Sequence, residues 1–213
     1  MRVIAGRRRG TLLRVPPGSP IRPTADKLKA AMFSILEAEA YKRGVLLPED
    51  VPPGAMLAGI AWPVVLDLYA GSGALGIEAL SRGARWAEFV EHDPEARKVL
   101  RANLARTGFA EQAAVHALSA AAAVSTLRRR YDLILLDPPY GDPEAPQVFA
   151  ALARSALFGP HSVVVWEHPR SLVPPAEEGA LYLYKTRYHG ASGVSIYLPR
   201  APATGQGSPA SES

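Results

Sequence analysis

The sequence predicts an α/β protein: a doubly wound, mostly parallel sheet closed by a C-terminal antiparallel hairpin strand, with a small N-terminal β-hairpin and helix extension. Three observations lead there. From Val64 onward, short apolar runs alternate with segments of helical period, the pattern of right-handed βαβ units. A glycine-rich turn, Gly71-Ser-Gly-Ala-Leu-Gly76, follows the first apolar run and opens a helix. Late in the chain, β-rich runs at 180–188 and 194–198 flank His189-Gly-Ala-Ser-Gly193, a hairpin turn that sends the last strand back antiparallel.

Each element has a local cause. Residues 1–15 hold two short apolar stretches around a Gly- and Arg-rich turn, which predicts a hairpin. Pro16, Pro17, Gly18 and Pro20 end it. Thr24 is placed as an N-cap, and Leu28, Ala31, Met32, Ile35 and Leu36 predict a helix over 25–40. Residues 44–63 are rich in Pro and Gly and are expected to link the extension, 1–43, to the main domain, 64–199. In that domain, strands are expected at 64–68, 87–91, 113–117, 131–136 and 162–166. Helices are expected from the glycine-rich turn to about 82, from Asp93-Pro94 to Gly108, over 120–129 and over 145–158. The Gly/Ser/Pro/Ala-rich tail, 200–213, is expected to be disordered.

Composition narrows the function classes. With 48% apolar and 21% charged residues, the chain is an ordinary globular one, not a disordered or fibrous one. No apolar run is long enough to span a bilayer, and the first residues lack the apolar core of a secretory signal. The absence of cysteine removes disulfides, Cys-ligated zinc and thiol nucleophiles, and fits a cytoplasmic protein. Five scattered histidines have no metal-ligand spacing, so no metal is expected. Charge is uneven: residues 1–43 carry ten basic and three acidic groups, while the rest carries 14 basic and 17 acidic. A basic segment on a mildly acidic body suits a polyanion such as nucleic acid.

The glycine-rich turn alone would suit a dinucleotide, but its neighbours argue against one. Asp67 ends the preceding strand, where its carboxylate would repel a pyrophosphate at a cost of roughly 3 kcal/mol. It would attract an ammonium group instead. S-adenosylmethionine carries an α-amino group and a sulfonium and has no phosphate. Glu91 ends the second strand, where a carboxylate can accept from both hydroxyls of an adenosine ribose. The cofactor-binding candidates are therefore Asp67, Tyr69, Ala70, Gly71, Ser72, Gly73, Gly76, Glu91 and His92, the last placed against the adenine.

Asp137-Pro138-Pro139-Tyr140 follows the fourth strand directly, on the edge that faces the same crevice. Two prolines remove two N–H donors, so the turn offers acceptors: carbonyl oxygens and one carboxylate. Acceptors that hold both hydrogens of an exocyclic amino group rehybridise its nitrogen towards sp³ and free the lone pair for attack. Tyr140 can stack the base. These four residues are the catalytic candidates.

With Asp67-Leu-Tyr-Ala-Gly-Ser-Gly73, this turn resembles the class I S-adenosylmethionine-dependent amino-methyltransferases. Arg2-Val-Ile-Ala-Gly6, Arg9-Gly10, Arg22-Pro-Thr-Ala-Asp26 and Met32-Phe33 narrow the resemblance to the bacterial 16S ribosomal RNA guanine-N2 methyltransferases, the RsmD family, over about residues 1–40 and 64–198. The resemblance implies a Rossmann-like fold and methylation of the exocyclic N2 of a guanine in a P-site loop of 16S rRNA, on the 30S particle. The same turn chemistry serves adenine-N6 methyltransferases of RNA or DNA, the alternative from which only the N-terminal motifs separate this chain. Where the family carries an acid after the third strand, beside the adenine, this sequence has Ser119, which joins the cofactor set. Residues 41–63 are longer than the family's usual connection.

The substrate-binding candidates are Arg7, Arg8 and Arg9 in the hairpin turn, as phosphate contacts, with Arg22, Thr24 and Lys27 bordering the pocket. Arg128-Arg-Arg130 is assigned to the end of the third helix, complementing its dipole, and His168 to a structural role. A monomer is expected.

Overall fold

Apolar side chains on both parities of the strands require a sheet covered on both faces, and the computed structural model has that arrangement. It describes residues 1–16, 25–42 and 61–200. The strands are β1 (Val64–Asp67), β2 (Trp86–Val90), β3 (Ala113–His116), β4 (Tyr131–Leu136), β5 (Phe158–Pro169), β6 (Glu177–Glu178), β7 (Leu181–His189) and β8 (Ser192–Pro199). They form one sheet of order β3-β2-β1-β4-β5-β8-β7-β6. The first five are parallel, and β8 inserts antiparallel between β5 and β7. The sequence-predicted architecture holds, C-terminal hairpin included.

The helices are α1 (Ala25–Lys42), α2 (Ala74–Ser81), α3 (Pro94–Thr107), α4 (Ala120–Thr126) and α5 (Ala145–Ala153). Alternation along the strands divides the core. Val65, Leu133, Leu135, Val163 and Val165 face α1, α2 and α3. Leu66, Ile134, Leu136, Val164 and Trp166 face α4 and α5. Leu28, Met32, Phe33 and Leu36 of α1 pack in the same cluster as the sheet. The Asp93 cap of α3 is as expected: its carboxylate accepts from Glu95 N–H, and Gly108 closes the helix at φ 71°.

Several boundaries differ from expectation. The N-terminal arms meet in one antiparallel bridge, Arg2 to Leu12, around a 3-10 turn at Gly6–Arg8. Helix α4 stops at Thr126, because Leu127 is extended and the three arginines lead straight into β4; Arg129 is held by Glu88 at 3.2 Å and over the Trp86 ring. Arg128 still donates to the Ser125 and Leu127 carbonyls at the helix end. Helix α5 stops at Ala153, and Phe158 already pairs with Tyr131 as part of β5. Thr24, residues 44–60 and the tail from 201 lie outside the described residues.

The N-terminal arms are pinned by two buried polar groups. Glu78 of α2, fully buried, accepts from the backbone N–H groups of Ile4 and Ala5, from Arg82 Nε at 2.8 Å, and pairs with Lys29 Nζ at 3.3 Å. Burial pushes the Lys29 pKa down, against the opposing pull of Glu78. Asn103 of α3 exchanges hydrogen bonds with the Arg14 backbone and donates to the Ser72 carbonyl. The second arm and the glycine-rich turn thus share one anchor.

Candidate active site

Loops at the carboxyl ends of β1, β2 and β4 converge on a cavity of about 830 Å³, large enough for a drug-sized ligand. It unites most of the residues singled out in the sequence: Asp67, Tyr69, Ala70, Gly71, Ser72, Glu91 and His92 at one side, Asp137, Pro138, Pro139 and Tyr140 at the other.

Asp67 ends β1 and is buried. Its Oδ2 accepts from Gly76 N–H at 3.0 Å, which ties it to the first turn of α2. Its Oδ1 is buried with no hydrogen-bond partner among the described residues. Burial pushes its pKa up to about 7; the Gly76 hydrogen bond opposes this, and the charges of Asp137 and Glu91 add to it. An unsatisfied buried carboxylate is costly, and that oxygen has the chemistry to accept from a donor or to pair with a cation.

Glu91 lies just past β2. One oxygen accepts from Gly71 N–H and the other from Asp93 N–H, both at 2.8 Å. The two bonds fix the carboxylate and leave lone pairs on both oxygens for a pair of hydroxyls. His92 is exposed, with Nδ1 3.4 Å from Glu91. Gly71 opens onto empty space, where a side chain would meet nothing within 4 Å.

Gly73 and Gly76 stand behind the cavity and serve packing. A Cβ at Gly73, whose φ is 82°, would overlap Leu100, and one at Gly76 would overlap the Phe89 ring. Those contacts let α2 approach the sheet closely enough for Gly76 to reach Asp67.

In the second turn, the Pro139 carbonyl accepts from Asp142 N–H at 3.0 Å, so one acceptor is partly used in holding the turn. Tyr140 stands half-exposed at the mouth. Its hydroxyl is bonded to Ser192 of β8 and lies 3.4 Å from Glu167 of β5. Glu167, Ser192 and Lys29 also line the cavity, and sequence reasoning missed all three. Glu167 was within reach, because it follows the apolar core of β5 on the same sheet edge that drew attention to Asp137.

Other candidates lie elsewhere. Ser119 does not line the cavity: its hydroxyl accepts from Ala122 N–H as the N-cap of α4, and Leu118 and Ala120 take the cavity wall. Lys27 is exposed on α1 and does not itself line the cavity, although its neighbours Asp26 and Leu28 do. Arg22 and Thr24 fall outside the described residues. Arg7 donates to the Leu80 carbonyl and Gln112 and covers the Phe109 ring, while Arg8 N–H donates to Ser81 Oγ. This places Arg7, Arg8 and Arg9 at the C-terminal end of α2, far from the mouth. His168 is buried: Nδ1–H donates to the Pro169 carbonyl, so Nε2 accepts from Ser195. No group of residues among those described has the makings of a metal site.

Comparison with known proteins identifies similar chains. A family model described as "Conserved hypothetical protein 95" matches residues 1–198. The chain is 31% identical over 203 residues to the "Putative rRNA methyltransferase YlbH" of Bacillus subtilis, covering 94% of this chain and all of that one. It is 30% identical over 170 residues to the "Ribosomal RNA small subunit methyltransferase D" of Haemophilus influenzae, covering 78% of each. A solved structure, the putative methyltransferase yhhF from Escherichia coli, superposes with a TM-score of 0.75 at 26% identity, over 95% of this chain and 99% of that one.

Proposed function

The chain belongs to the family described as Conserved hypothetical protein 95, the RsmD family of methyltransferases, and from that premise we propose that it transfers a methyl group from S-adenosylmethionine to the exocyclic N2 of a guanine in 16S rRNA. The observation that carries the reading is the single cavity that joins Asp67 and Glu91 to the Asp137–Tyr140 turn. The residues fit the cofactor. The orphaned Asp67 Oδ1 suits its ammonium, Glu91 its ribose hydroxyls, and the open space at Gly71 its close approach. When bound, the cofactor supplies an electrophilic methyl group.

The protein's part is positioning. Asp137 accepts from the target amino group and aims its lone pair, and the tethered Tyr140 ring stacks the base at the mouth. Glu167 favours guanine over the adenine-N6 alternative. Guanine presents two adjacent donors, N1–H and N2–H, to a carboxylate, whereas adenine N1 presents a lone pair that a carboxylate repels. The relatives' names support an rRNA substrate. The same reading assigns phosphate contacts to Arg7, Arg8 and Arg9 and expects a cytoplasmic monomer acting on the 30S particle. No helix among the described residues is long and apolar enough to cross a membrane.

The cofactor assignment predicts a pH signature. A carboxyl raised to about 7 is largely protonated at pH 6 and ionised at pH 8. A ligand ammonium needs the ionised form, so binding releases a proton near neutrality, and S-adenosylhomocysteine should bind about tenfold more tightly at pH 8 than at pH 6. The ligand-free fold responds in the opposite sense: it loses stability as pH rises from the ordinary carboxylate range through 7. Calorimetry in buffers of different ionisation enthalpy measures both the affinity and the proton. Affinity independent of pH, or NAD binding tighter than S-adenosylhomocysteine, would refute the role given to Asp67.

A further inference from the structure

We propose that the amino edge of the sheet, opposite the cavity, is a second docking surface for the phosphate backbone of the RNA. This rests on the reading above that the substrate is RNA. Strands β1 to β4 run parallel, so the segments that lead into them share one edge. Arg85 precedes β2, Arg106 lies in the last turn of α3 ahead of β3, and Arg128 and Arg130 precede β4. The N-terminal turn adds Arg8 and Arg9 to the same edge. Arg8 N–H bonds Ser81 at the end of α2, and its guanidinium lies against Gly108 at the end of α3.

All six arginines are exposed, and among the described residues none is paired with a carboxylate. Arg128 is turned onto helix-end carbonyls. The side chains of Arg9, Arg85, Arg106 and Arg130 make no hydrogen bond or ion pair among the described residues. The basic edge therefore exceeds what the helix dipoles and the fold require.

The opposite edge has the reverse character. Asp26, Asp67, Glu91, Asp93, Asp137 and Glu167 line the cavity and outnumber its one lysine, Lys29, which is paired with Glu78. A polyanion is thus repelled at the mouth and attracted at the far edge, and a mouth that must admit a phosphate-bearing nucleotide needs attraction from elsewhere. The eight residues of α2 alone separate the two edges by about 12 Å. The phosphates held at the amino edge then belong to nucleotides other than the target one.

The test is equilibrium binding to unmodified 30S subunits across a salt series, with steady-state methylation alongside. The triple variant Arg85→Ala, Arg106→Ala, Arg130→Ala should bind at least tenfold more weakly near 0.15 M salt. Its log–log salt slope should be shallower by up to about three units. KM for 30S should rise, with S-adenosylhomocysteine affinity and melting temperature kept. A second triple variant, Lys98→Ala, Arg101→Ala, Arg187→Ala, removes the same charge from other exposed positions, on α3 ahead of its last turn and on β7, and should bind nearly as the parent does. Equal losses in both variants would reduce the effect to net charge and overturn the proposal. So would unchanged 30S binding by the edge variant, or a loss confined to phosphatidylserine vesicles. If the parent protein itself neither binds nor methylates 30S subunits, the functional reading fails and this inference falls with it. If the parent does both and the edge variant matches it, only the docking surface is wrong.

Discussion

Asp137→Ala should lower methyl transfer to 30S subunits by about 10²-fold or more, the loss expected when one preorganised polar contact to the reacting group is removed. Cofactor affinity should not fall. The Asp137 charge is one of the groups that raise the Asp67 pKa, so removing it leaves Asp67 more readily ionised and better able to hold an ammonium near pH 7. Asp137→Asn keeps one carbonyl acceptor and should fall between the parent and the alanine variant. Single-turnover rates with saturating S-adenosylmethionine, set beside S-adenosylhomocysteine affinity, separate the two effects. A near-parental rate in Asp137→Ala would remove that carboxylate from the chemistry, and a collapse of cofactor binding would make its role structural.

The largest stability effect is expected at Glu78. This side chain meets Lys29, Arg82 and two backbone N–H groups of the N-terminal arm inside the fold. Glu78→Ala leaves the buried Lys29 ammonium without its counter-charge, with the Arg2 carbonyl still accepting from it, and leaves two part-buried N–H donors without their acceptor. A loss of about 3–5 kcal/mol is expected, read as a lower urea midpoint at an unchanged slope. Glu78→Gln keeps an acceptor for the arm but not the charge, and should lose less. A shift under about 1 kcal/mol in the alanine variant would mean that the arm and α1 do not depend on this carboxylate.

These two residues differ in how far the sequence reveals them. Asp137 was legible because short-range rules place it: an apolar run, then a Pro-Pro turn, on the strand edge that faces the crevice. Asp67 and Glu91 followed the same logic, and so did the Asp93 and Gly108 caps, since each depends on neighbours a few residues away. Glu78 sits in an apolar stretch, Ala-Leu-Gly-Ile-Glu-Ala-Leu-Ser, with nothing local to show that residues 4, 5 and 29 converge on it. Glu167 and Ser192 meet Tyr140 only because β8 inserts beside β5, a pairing between runs more than twenty residues apart.

Ser119 shows the opposite case. A family-level correspondence suggested an adenine contact, but the first turn of α4 needed a cap and took the hydroxyl. The arginine turn reads as a solvent-facing hairpin from its composition. Its place at the far end of α2 is set by Ser81, Leu80 and Gln112, which lie 73 or more residues away.

The central claim is that one cavity presents a nucleobase amino group, held by Asp137, to a methyl donor held by Asp67 and Glu91. Its most direct measurement is transfer of labelled methyl from S-adenosylmethionine to 30S subunits that lack native modification, followed by nucleoside analysis of the 16S rRNA. The account predicts label in N2-methylguanosine, abolished or nearly so by Asp137→Ala. Label in N6-methyladenosine, or no transfer to subunits that the protein demonstrably binds, would contradict it.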